Sequence, residues 1–184
     1  PPRTAARPHP ALPQPVQDQV AEAGMPLASF HYAVASRDDL LRDVVQLVVT
    51  DETDAALAGL LADAVDVTDA IRRALSAYLE HVRRAPGREQ AMFELTQYAL
   101  RTPDLADLPG EQYARYHATA ASVLRAAEAH LGIRWTVPID DLARLIVTLT
   151  DGITLAWLVD HDDAAADRTI DLATRALAPF ASSA

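Results

Sequence analysis

The sequence predicts an all-α protein: an N-terminal helix-turn-helix head joined by a long helix to a helical-bundle body. Three observations carry that expectation. From Val16 onward, apolar residues recur at helical spacing along almost the whole chain. Gly and Pro fall mostly between these periodic stretches, where they stop and start helices. No stretch alternates convincingly as a strand; "IRWTV" at 133–137 is the one candidate, and it is too short.

The elements follow in order. Residues 1–15, "PPRTAARPHPALPQP", hold half of the twelve prolines, a density no helix interior survives, so they read as an extended arm. Residues 16–23 form a short helix stopped by Gly24, and residues 26–34 a second with Pro26 in its first turn. Ser36, with Asp39 three residues on, has the capping-box pattern and starts a long helix reaching about residue 64. Thr68 and Asp69 open the next helix, which ends near "RRAPG" at 83–87. Another covers 88–101 and is halted by Thr102-Pro103. Residues 111–131 continue the pattern up to Gly132. Pro138 opens a helix over 139–160, and a last one covers 163–178. The domain division is therefore an arm over 1–15, a head over 16–45 and a body over 46–184.

Composition narrows the function. Half of the 184 residues are hydrophobic, enough for a sizeable core. There are no cysteines, which excludes disulfides, thiolate metal sites and Cys nucleophiles and fits a reducing compartment. The richest apolar run, 142–159, is interrupted by Arg144, Asp151 and Gly152, so no membrane span is expected. The N-terminal residues lack an apolar signal core, and a cytoplasmic location is the expectation. The net charge of −10 argues against a protein that coats nucleic acid nonspecifically, though one local edge can still read DNA.

The two short helices meet at "AEAGMP", as a helix-turn-helix does. In that motif the second helix enters the major groove, and small residues let its backbone approach the bases. Ala28 and Ser29 are small, His31 and Tyr32 can reach bases or phosphates, and the N-terminus of the long helix with Arg37 can anchor a phosphate. The stretch "VAEAGMPLASFHYAVASRDDLL" resembles the TetR-type family of transcriptional regulators. Ala23-Gly24-Met25 sits at the family's turn, His31-Tyr32-Ala33-Val34 at the end of its recognition helix, and Ser36 to Leu41 at the start of its connecting helix. It departs from the pattern at Val34, where an aromatic is usual, and in residues 1–15, where the family has an amphipathic first helix.

The resemblance implies an operator-specific repressor released by a small molecule, with palindromic double-stranded DNA, a second copy of the chain and the effector as partners. It implies DNA contacts by Leu27, Ala28, Ser29, His31, Tyr32 and Arg37. It also implies a dimer through the last two helices. The helix at 139–160 is apolar nearly all round and must be covered on both sides, which points the same way. Leu145, Leu149, Ile153 and Leu172 are the expected interface residues. Phe93, Gln97, Tyr113, Tyr116, His117 and Trp157 mix aromatic and polar groups on faces expected to turn inward, the usual composition of a small-molecule pocket. The expected effector is apolar or aromatic, or a carboxylate should Arg101 turn inward.

No enzyme, cofactor or metal site is expected. Asp160-His161-Asp162-Asp163 reads as an interhelix loop and an acidic helix start, and His81, His117 and His130 are isolated. The alternative function is an α-helical small-molecule sensor or carrier whose DNA-binding head has degenerated. Residues 16–42 set four acids against two Arg, which favours that alternative.

Overall fold

The computed structural model describes residues 64–183. These form five helices: α1 (Val67–Arg84), α2 (Pro86–Ala99), α3 (Leu108–Leu131), α4 (Ile139–Asp160) and α5 (Asp163–Leu177). A 3₁₀ turn at Pro103–Leu105 lies between α2 and α3, and another at Ala178–Phe180 follows α5. The helix-turn-helix and most of the long helix expected over 36–64 lie outside the described residues.

The helix ends follow from local chemistry. Asp66, two residues ahead of the expected start, caps α1 by accepting from the Asp69 amide at 2.8 Å. Asp69 in turn pairs with Arg73 one turn on, and that hydrogen bond holds its carboxyl below the usual carboxylate range. Pro86 ends α1 and occupies the first turn of α2. α3 closes at Gly132, whose φ of 63° lies in the left-handed region that glycine occupies without a Cβ penalty. Between α4 and α5, His161 also takes a left-handed conformation, and its amide donates to Trp157 O at 2.8 Å. Asp162 then caps α5 by accepting from Ala165 N at 2.9 Å. The Asp160–Asp163 segment is thus a helix stop followed at once by a helix start.

One expectation is overturned. Ile133–Trp135 is a strand, paired antiparallel with Ala181–Ser183, with Arg134 opposite Ser182. A three-residue strand carries too little periodicity to be seen alone, and its partner lies almost fifty residues further along the chain. Non-local bonds hold the ribbon: Thr136 N donates to Phe180 O at 2.7 Å, and Trp135 Nε1 donates to Leu124 O at 3.0 Å.

α3 packs most extensively along α4, while α5 lies against α1 and α4. Leu79, Val82, Leu124, Leu142, Ile170 and Leu177 form the centre of the core where these helices meet. Asp163 ties three of them. Its Oδ1 accepts from Trp157 Nε1 of α4 at 2.9 Å and lies 2.8 Å from Arg83 Nε of α1. By length and composition α4 could cross a membrane. Its inward face, with Leu142, Val147, Ile153 and Trp157, is consumed by the core instead.

Candidate ligand-binding site

α1, α2, α3 and α4 do not close on one another completely. They surround a hollow with about 140 Å³ open to the centres of water molecules, room for a small organic molecule. On α2 the wall residues Glu89, Met92, Phe93 and Thr96 follow the i, i+3, i+4, i+7 spacing of one helical face. α3 contributes Gln112, Tyr113, Tyr116 and Thr119 at similar spacing, and α4 contributes Ile146, Val147, Thr150 and Asp151. Tyr78 enters from α1, and Trp135 from the strand that follows α3.

The wall is mostly aromatic and aliphatic, with polar groups that hold one another in place. Gln112 is buried; its Oε1 accepts from Thr96 Oγ1 at 2.9 Å and its Nε2 donates to Tyr116 Oη at 3.2 Å. Tyr78 Oη and the buried Thr154 Oγ1 share a hydrogen bond of 2.8 Å. Tyr113 Oη donates to Asp151 Oδ2 at 2.8 Å, and the Tyr113 and Tyr116 rings meet edge to face at 5.6 Å. These bonds and the edge contact fix the orientation of the Tyr78, Tyr113 and Tyr116 rings.

Two carboxylates face the hollow. Glu89 is 4% exposed, with Arg88 Nε 3.6 Å from its Oε1. Asp151 is half-buried. Burial raises its pKa, and the Tyr113 hydrogen bond and the nearby His117 offset part of that rise. Burial, with the hydrogen bond to Asp151, pushes the Tyr113 phenol up, so it stays a donor at neutral pH. No Arg or His is among the described residues of the wall.

Of the six residues expected in a pocket, Phe93, Tyr113 and Tyr116 are on this wall. Gln97 is exposed, and its carbonyl accepts from Arg101 Nε at 2.9 Å, so Arg101 also turns outward. His117 lines a separate polar cleft with Arg125, Asp140, Asp141 and Arg144. There, burial first and Arg144 second lower its pKa. Trp157 is buried in the core, its ring edge-on to His161 at 5.0 Å. It lies six residues beyond Asp151, about 9 Å along the helix and on a different side. Tyr78, Glu89, Gln112, Trp135 and Asp151 were not anticipated. Asp151 did leave a signal, as the lone acid within the apolar run "LIVTLTDGITLAW".

The expected dimer residues separate too. Ile153 is 5% exposed, Leu149 packs against the core, and Leu145 and Leu172 are exposed. The expected DNA contacts Leu27, Ala28, Ser29, His31, Tyr32 and Arg37 lie outside the described residues. Among the described residues no group of His, Asp and Glu could hold a metal ion.

The described body is a mostly helical domain built around a hollow with aromatic and polar walls. The family model of the BetI-type transcriptional repressor C-terminal domain matches residues 67–181, more than half of the chain. The chain therefore belongs to the TetR family of transcriptional regulators, with a BetI-type C-terminal domain, a family of regulators and not of enzymes. The fold is similar to that of the TetR family transcriptional regulator PfmR from Thermus thermophilus. The TM-score is 0.57 at 15% identity, over 88% of this chain and 86% of that one. No curated protein matches the sequence.

Proposed function

We propose that the chain is a cytoplasmic, homodimeric repressor of a palindromic operator, released when a small molecule occupies the hollow between α1, α2, α3 and α4. The observation that carries this reading is the hollow itself, with its rigid aromatic wall and a few directed polar groups. Residues 27–37 supply the DNA contacts in this reading, with Leu27, Ala28, Ser29, His31 and Tyr32 on the reading helix and Arg37 on a phosphate.

The outward face of α4 supports dimerisation. Leu145, Thr148, Gly152, Leu155, Ala156 and Val159 make one stripe without a charge, and Val159 is 78% exposed. Among the described residues, nothing lies within 4 Å of the position a Gly152 Cβ would take. Its smallness therefore serves no contact among the described residues, and with Ala156 it leaves room for a second helix to approach. Leu172 of α5, also exposed, extends the apolar surface.

Two states with different spacing of the reading helices, biased by the ligand, would couple the hollow to DNA. The coupling is reciprocal: a ligand that weakens operator binding is itself bound less tightly on DNA by the same factor. The test is a thermal-shift screen followed by operator titration with each hit. Ligand at about a hundredfold its Kd should stabilise the fold by roughly 2.7 kcal/mol. Hits should also lower operator affinity. Hits that stabilise the fold and leave operator affinity unchanged would favour the sensor or carrier reading, to which the acidic balance of residues 16–42 also points.

A further inference from the structure

The charge pattern of the hollow narrows the ligand, on the premise that the hollow is the effector site. Its described wall carries two carboxylates, Glu89 on α2 and Asp151 on α4, and no basic side chain. The chain has no lysine; Arg88 stands beside Glu89, and His117, which lines the neighbouring polar cleft, is the basic group near Asp151. Asp151 has no ion pair among the described residues. Its Oδ2 takes one hydrogen bond from the neutral Tyr113 hydroxyl, and an ionised carboxylate has acceptor capacity for more. Burial disfavours the charged form of Asp151, the Tyr113 hydrogen bond and nearby His117 offset only part of that, and a positive ligand would offset more. Aromatic rings from Tyr78, Phe93, Tyr116 and Trp135 fill much of the remaining wall and attract cations through their faces. An anion would meet two like charges and no partner.

We propose that the hollow selects a lipophilic amine, protonated at physiological pH, whose N–H group hydrogen-bonds Asp151 while its apolar body lies against the aromatic wall. This departs from the apolar, aromatic or carboxylate effector that the sequence suggests. Arg101, the residue that would have favoured a carboxylate, lies exposed just beyond α2 and donates to the Gln97 carbonyl, off the wall.

The test uses matched sets of probes on the full chain, read by calorimetry. Each set holds an ammonium, its N-trimethyl analogue, the alcohol and the carboxylate on one skeleton. Phenylethyl, phenylbutyl and decyl skeletons cover a range of sizes and shapes. The ammonium should bind at least about tenfold more tightly than the alcohol, the weight of one charge-assisted hydrogen bond, and more tightly than the trimethyl analogue, which cannot donate. The carboxylate should not bind. Asp151→Asn keeps an acceptor for Tyr113 and should weaken the ammonium much more than the alcohol, removing most of the ammonium's advantage. Glu89→Gln serves as the second variant and should weaken the ammonium less, because Arg88 already stands beside that carboxylate.

An alcohol, carboxylate or trimethyl analogue that binds as tightly as the ammonium overturns the proposal, as does a panel in which no ammonium binds. Operator titration separates this from the regulator reading. A carboxylate that binds and releases operator would overturn the amine alone. An amine that binds without any effect on operator affinity would leave the ligand class standing and remove the reading of the hollow as the effector site.

Discussion

Replacing Tyr113 with Phe deletes one oxygen and leaves the ring, its edge contact with Tyr116 and the wall of the hollow in place. What goes is the 2.8 Å hydrogen bond to Asp151 Oδ2. Hydrogen bonds to charged groups are worth about 1.5–3 kcal/mol, and a half-buried carboxylate can recruit water, so the cost at neutral pH should be about 1–2 kcal/mol. For a chain of this length that is a fall of roughly 2–8 °C in melting temperature. The pH dependence is the sharper test. Burial raises the Asp151 pKa in the folded state, and the Tyr113 hydrogen bond holds part of that rise back, so the variant's Asp151 should titrate higher still. An acid with a raised folded pKa makes the folded state bind more protons, and stability then falls as pH rises through that interval. The variant has the wider interval and loses more across it. Its deficit should be full above its Asp151 pKa and shrink as pH falls toward the ordinary carboxylate range. Urea denaturation of both proteins at neutral and mildly acidic pH measures this. A deficit that is the same at both pH values, or absent at neutral pH, would refute the claim that Asp151 is ionised and held by Tyr113.

Charging the outward stripe with Leu155→Asp and Val159→Asp should yield a folded monomer, because both side chains are exposed in the protomer; sedimentation and circular dichroism read the two halves of that statement. A parent chain that sediments as a monomer at micromolar concentration would end the dimer reading. Trp157→Ala should cost about 3–5 kcal/mol and lower the melting temperature by the same amount with and without ligand, since Trp157 is core and off the wall of the hollow. A selective loss of ligand affinity would contradict that placement. Arg37→Ala should weaken binding to all DNA sequences alike and reduce the salt slope by about one phosphate contact. Loss confined to the operator would make Arg37 a base reader instead.

Local events were legible in the residues alone. The α4 limits, the Gly132 stop and the restart at Asp162–Asp163 depend on residues a few positions apart, and turn chemistry and helical period report them directly. The family resemblance could be read from "AEAGMP" and "SRDDLL" for the same reason, since the residues that carry it lie close together in the sequence. Whatever depends on which helix faces which had to wait for packing. Ile133–Trp135 became a strand only because Ala181–Ser183 returns to pair with it. An aromatic on an apolar helix can face the core or a hollow, and both cases show the same periodicity. Packing sent Trp157 to Asp163 and Tyr113 to Asp151. It also gave Asp151, which interrupts an apolar run in the sequence, a place on the wall of the hollow. Its local context marks a buried-segment acid as unusual, but only the arrival of α1, α2 and α3 around it defines what it faces.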